Sequence, residues 1–110
     1  MADNIFAADP RGFEVECADE RFRRIQNKHP ETARFLTKAI IREAIEKPQH
    51  RTIYSSPSNP NRHIYYGKRY PKFEIKVVVD FNSKLGTIVT FHACSRRPPE
   101  ERMIWPITNQ

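Results

Sequence analysis

A chain of 110 residues holds one domain of ordinary size, and a domain of that length removes roughly two-thirds of its unfolded surface from water without a disulfide framework. Hydrophobic residues make up 38% and charged residues 29%, and no apolar run approaches the ~18 residues of a membrane span, so a membrane protein is not expected. The net charge of +6 is uneven: residues 1–20 carry −5, with Arg11 the only base, which leaves +11 on the other 90 residues and points to a polyanionic partner.

Residues 1–17 form an acidic N-terminal arm with little periodicity, and MADNIFAADP lacks the apolar centre of a secretory leader. Asp19 offers an N-cap, and Phe22 with Ile25 predicts a short helix over 19–28. Pro30 and Glu31 suit the first turn of a second, longer helix. Its apolar face is Phe35, Leu36, Ala39, Ile40 and Ala44, widened by Ile41 and Ile45, and it stops at Lys47-Pro48. Arg34, Lys38 and Arg42 fall on a different, wet face of it.

Beyond Pro48 the period becomes two. Thr52–Ser55 is a short strand closed by the turn-rich SSPSNPN, Arg62–Lys68 a second, and Phe73–Phe81 the clearest. After a turn at Asn82–Gly86, Leu85–Cys94 pairs back as a fourth. Arg96-Arg97-Pro98-Pro99 breaks the sheet, and Ile104 and Trp105 tuck against an edge. The expected fold is α+β: two N-terminal helices packed on a three- to four-stranded antiparallel sheet in two layers, within one domain over 18–110.

The alternation sorts side chains by face. With Phe73, Ile75, Val77, Val79, Val89 and Phe91 toward the long helix, Glu74, Lys76, Asp80, Thr90 and His92 face away, onto a surface expected to be open to solvent. The strand 62–68 adds either Arg62, Ile64 and Tyr66 or His63, Tyr65 and Gly67, its register being open. Either set puts a ring beside a cation or an imidazole, as single-stranded RNA uses for stacking and phosphate neutralisation. The plainer reading is a solvated face on which Tyr and Thr appear because they favour strands.

RRIQNKHPE, a helix, AIEKPQHR, NRHIYYGK, EIKVVVDF and TIVTFHACSRRPPEERMIWP, in that order, resemble the barnase–EndoU–colicin–RelE superfamily of small ribonucleases, most of all its phage-associated branch. The resemblance covers roughly residues 20–106. It implies metal-independent RNA cleavage, a role as a toxin of phage or bacterial origin, and an acidic antitoxin or immunity protein as a second partner. The cytoplasmic expectation comes from Cys17 and Cys94, two cysteines far apart without CxxC spacing. The positions that match the family's active residues are His29, Arg62, Tyr65 or Tyr66, Thr90 and His92.

Elementary chemistry gives the same residues roles. RNA carries its own nucleophile, the 2′-hydroxyl, so a protein needs a base, an acid and a cation to steady the phosphorane. His29 and His92 are the candidate acid–base pair, Thr90 orients the phosphate, and Tyr66 stacks a base or donates its hydroxyl. Arg62, Tyr65, Lys76, Arg96 and Arg97 are candidate RNA contacts. No cofactor or metal is expected: the glycines are Gly12, Gly67 and Gly86, with no phosphate-binding loop, and neither HxxxH nor CxxC spacing occurs. Two alternatives remain open: a non-catalytic nucleic-acid-binding module using the same face, and a protein-interaction domain docking an acidic partner through Arg34, Lys38 and Arg42. The ribonuclease reading requires His29 and His92 to border one groove.

Overall fold

The strand with the clearest alternation is the centre of the fold. In the computed structural model, which describes residues 5–106, Glu74–Asn82 (β5) lies between Asn59–Arg69 (β4) and Leu85–Cys94 (β6), antiparallel to both. Beyond β4 come Ile53–Ser56 (β3) and Arg102–Trp105 (β7); beyond β6 come Glu14–Glu16 (β2) and Ile5–Ala8 (β1). The sheet order is β1-β2-β6-β5-β4-β3-β7, with β2 parallel to β6. A seven-stranded mixed sheet thus replaces the expected three- to four-stranded antiparallel one. The three added strands are three or four residues long, too short for a period of two to register in the sequence.

The stretch 1–17, expected as an arm, supplies two of those strands from its described part; Asp3 lies outside the described residues. The turn between β1 and β2 is held by Asp9. Its buried carboxylate accepts from the backbone N–H of Arg11 at 2.8 Å and of Phe13 at 3.1 Å, from the Arg11 guanidinium at 2.6 and 3.0 Å, and from the Tyr65 hydroxyl on β4 at 2.8 Å. Arg11 also reaches His63 Nδ1 at 3.0 Å and lies 4.3 Å over the Phe13 ring. The only base of the acidic stretch is therefore spent on one of its acids, inside the fold.

Helices Asp19–Asn27 (α1) and Lys38–Glu46 (α2) pack on one face. The long second helix expected from Pro30 to Lys47 is divided: Pro30–Phe35 is a 3-10 helix, and Thr37 starts α2 by accepting the Ile40 N–H at 3.3 Å. A hydroxyl that can cap competes with continued helix. The restart turns Ile41, Ala44 and Ile45 into the core and leaves Ala39 exposed. Val15, Leu36, Ile53, Tyr65, Ile75, Val77, Val79, Ile88 and Phe91 complete that core, with the Phe22 ring of α1 4.7 Å from Phe91.

One irregularity resets the faces of β6. Val78 pairs with Thr90 but Val79 with Ile88, so Val89 is an extra residue. Ile88 turns into the core, and Val89, expected to face the helices, joins Thr90 on the opposite side.

Helix α2 sits directly on β4 at Gly67, where an added Cβ would lie 2.4 Å from Ala44 Cβ and 2.9 Å from its Cα. Gly67→Ala is expected to force the two elements apart and to lower stability by about 2 kcal/mol, within the range of overpacked cores, read by urea denaturation. An unchanged midpoint would mean that helix and strand do not press together there.

Candidate functional site

Register fixes what the opposite face presents. Arg62 pairs with Asp80, Ile64 with Val78 and Tyr66 with Lys76, so Arg62, Ile64 and Tyr66 share the face of Lys76, Thr90 and His92. Tyr65, one of the candidate RNA contacts, lies on the helix side instead. It is fully buried, bonded to Asp9, and burial with the Asp9 charge pushes its phenol far up. It has no access to a ligand on the other face.

That face is not open, as the alternation alone had implied. Ile64, Tyr66, Val78 and Cys94 form a second, smaller apolar cluster, flanked by Tyr54 and Val89. The segment from Ser95 to Glu101 leaves the end of β6 and crosses this cluster to reach β7 at the far edge. Arg97 lies 3.9 Å over the Tyr66 ring, donates twice to Glu74 at 2.7 Å, and reaches Gln49 at 3.0 Å and the Tyr54 hydroxyl at 3.3 Å. Gln49 in turn donates to Glu74 at 2.8 Å and to the Gly67 carbonyl at 2.7 Å. Arg97 holds the Glu74 carboxyl below its usual range, and Glu74 raises Arg97 in return.

Glu101 closes the segment. It accepts from Lys76 Nζ at 2.7 Å and from the Tyr66 hydroxyl; the lysine and glutamate side chains are 11% and 5% exposed. Burial, then the Glu101 contact, raises the Tyr66 phenol far above its ordinary value. Beside this knot is a cavity of about 330 Å³ lined by Arg62, Lys76, Thr90, Glu101 and the apolar Val78 and Val89 among others. Arg62 is half-exposed and bound in two bonds to Asp80, at 2.7 and 3.0 Å; the Asp80 bonds raise Arg62, and Arg62 lowers Asp80. Arg96, within the crossing segment, is exposed.

The two candidate catalytic histidines come together at the edge of β6. Strand β2 pairs only with Leu85–Thr87, so the rest of that edge has no strand beside it among the described residues. The 3-10 helix Pro30–Phe35 starts there, and its cap His29 brings its ring to 5.9 Å from that of His92, centroid to centroid. His92 stands opposite Lys76 in the ladder. Its pKa is lowered by burial first, then by Lys76 and His29, which favours the neutral ring. The structure thus groups His29, His92 and Lys76, places Thr90 and Arg62 along the adjoining cavity, seats Tyr66 beneath the crossing segment, and removes Tyr65.

Sequence reasoning passed over the carboxylates. Asp80 and Glu74 were recognised as facing away, and cations on the same face of neighbouring strands were the signal that they are partners rather than free groups. Glu101 follows two prolines in a stretch without periodicity, where no local pattern places a side chain. Among the described residues there is no group of three or more His, Cys, Asp or Glu side chains arranged to hold a metal, and no helix long and apolar enough to cross a membrane. The chain matches no protein-family model, no curated protein and no solved structure.

Two predictions follow from these contacts. Glu101→Gln leaves the buried Lys76 charge without its counter-ion and is expected to cost about 3 kcal/mol in urea denaturation, against about 1 kcal/mol for Tyr66→Phe, which removes a single hydroxyl. Equal effects would show that the lysine finds another anion.

His63 and His92 are both lowered, each by burial first. A histidine depressed in the fold contributes stability in full above its unfolded value near ~6.5 and loses it as pH falls through the lowered folded value. Stability is therefore expected to decline from pH ~7.5 to ~5.5, at most about 1.4 kcal/mol per pH unit for each group. The His63→Gln, His92→Gln double variant should flatten that limb; an identical slope would refute the assignment.

Proposed function

We propose that this chain is a metal-independent endoribonuclease that cleaves RNA by transesterification from the 2′-hydroxyl. The observation that carries the reading is the approach of the His29 and His92 rings to 5.9 Å beside the Lys76 charge, near enough for one phosphodiester to contact both. A neutral His92 is suited to take the 2′ proton as O2′ attacks phosphorus, and His29 then protonates the departing O5′. The P–O2′ bond forms as the P–O5′ bond breaks, leaving a 2′,3′-cyclic phosphate and a 5′-hydroxyl. Thr90 supplies a hydroxyl for the non-bridging oxygens. Two imidazoles complete both proton transfers, so the reaction needs no bound ion.

The resemblance to the barnase–EndoU–colicin–RelE superfamily supports the same chemistry from the order of motifs, although the sheet is larger than the one expected from the alternation. On this reading the protein is a toxin-like RNase of the cytoplasm, where Cys17 and Cys94, both free and buried, stay reduced, and an acidic antitoxin or immunity protein restrains it. The alternative is a non-catalytic nucleic-acid-binding module; in either case Lys76, Arg97 and Arg62, each already paired with a carboxylate, are better suited to a structural role than to phosphate contact.

Purified protein incubated with single-stranded RNA in excess EDTA distinguishes the two. The expected result is cyclic-phosphate product, with kcat/KM reduced about 10²- to 10⁴-fold by His29→Ala or His92→Ala. Salt-sensitive binding without any product would sink the catalytic reading and leave the binding module; cleavage abolished by the chelator would overturn the metal-independent mechanism.

A further inference from the structure

Seven cations of this chain are bound by carboxylates among the described residues, and four that are not lie together at one end of the sheet, away from the cavity. At the β4–β5 turn the rings of Phe35, Tyr70 and Phe73 form a cluster, with centroids 4.8, 5.2 and 5.0 Å apart, and all three are partly exposed. Arg34 lies 4.8 Å over Phe35 and Lys68 5.5 Å over Tyr70. Arg69 and Lys72 line a small notch of about 80 Å³ with Tyr70, Phe73 and Ser95. These four cations are exposed, and none of them forms a salt bridge among the described residues. The carboxylate that lines the notch, Glu74, is occupied by Arg97 and Gln49.

We propose that this end of the sheet is the docking platform for single-stranded RNA, holding the nucleotides that flank the one at His29 and His92. The inference rests on the RNA reading and says where the strand runs. The platform is continuous with the histidine pair along two elements. The 3-10 helix capped by His29 ends at Phe35, about 12 Å on at a rise of ~2 Å per residue. Just before β5, Phe73 precedes by three residues the Lys76 that pairs with His92, about 10 Å at ~3.4 Å per residue. Partly exposed rings under exposed cations stack unpaired bases while neutralising phosphates, a combination that an acidic protein surface would use only by half.

The test uses a 12-nucleotide 2′-O-methyl RNA, which lacks the attacking hydroxyl and so reports binding regardless of cutting. The triple variant K68Q/R69Q/K72Q is compared with the full chain and with R23Q/K84Q/R102Q, an equal loss of charge at exposed positions elsewhere. The expected result is that the slope of log affinity against log salt shrinks by about 2 for the platform variant, at ~0.7 per lost phosphate contact, and much less for the control. A duplex of the same length should bind more weakly than the single strand, because its bases cannot stack on the rings. If the unaltered chain binds the RNA and both triple variants weaken it equally, or the duplex binds as tightly, the platform is refuted while the RNA reading stands. If the unaltered chain does not bind, the RNA reading fails and the platform with it.

Discussion

A lysine and a glutamate two residues apart on the central strand are both buried, each 8% exposed, and neither charge is tolerable there without a partner. Lys76 and Glu74 therefore require an acid and a base brought from elsewhere, and the segment after β6 supplies them as Glu101 and Arg97. That requirement fixes the path of the chain. A segment tied to β5 at both ends has to cross the sheet face, and the only place left for the strand that follows is the far edge, against β3. The two prolines at 98 and 99 suit the crossing, since a residue without an N–H cannot extend β6. The same knot sets one wall of the cavity and covers the apolar patch around Tyr66 that would otherwise face water.

Much of this was legible in the sequence, and the failures share a cause. The strands around β5 and the alternation of Ile75, Val77 and Val79 came directly from period two, because β4, β5 and β6 are each nine residues or longer. What was lost depended on pairing over distance. The bulge at Val89 moves one residue across the sheet and is invisible in a sequence whose neighbours are all strand formers. β1 and β2 exist because Ala7 and Val15 find a core and Asp9 finds Tyr65 on β4, a contact fifty-six residues away. The long helix was overread at Thr37, where the apolar spacing continues but the hydroxyl caps.

The candidate site was read with similar unevenness. His29 and His92 were paired on chemical grounds and the fold brings them together; the cations were chosen by charge and sheet face, and the fold binds Arg62, Lys76 and Arg97 to acids. Charge counted along a chain measures attraction at a distance, whereas a contact needs a group whose desolvation is not already compensated. Arg62, Lys76 and Arg97 have spent that freedom on Asp80, Glu101 and Glu74.

The shortness of β2 links the two halves of the molecule. Had β2 run the length of β6, a strand would stand beside His92 and the loop carrying His29 could not reach it. Because the pairing ends at Thr87, the edge beyond is free for the turn from α1 into the 3-10 helix, and that same helix carries Phe35 to the aromatic cluster. One incomplete strand thereby places an imidazole pair and an aromatic cluster at the same end of the sheet, with the exposed Arg34, Lys68, Arg69 and Lys72 around the rings. The cations of the face behind that border, Arg62, Lys76 and Arg97, are neutralised from within by Asp80, Glu101 and Glu74.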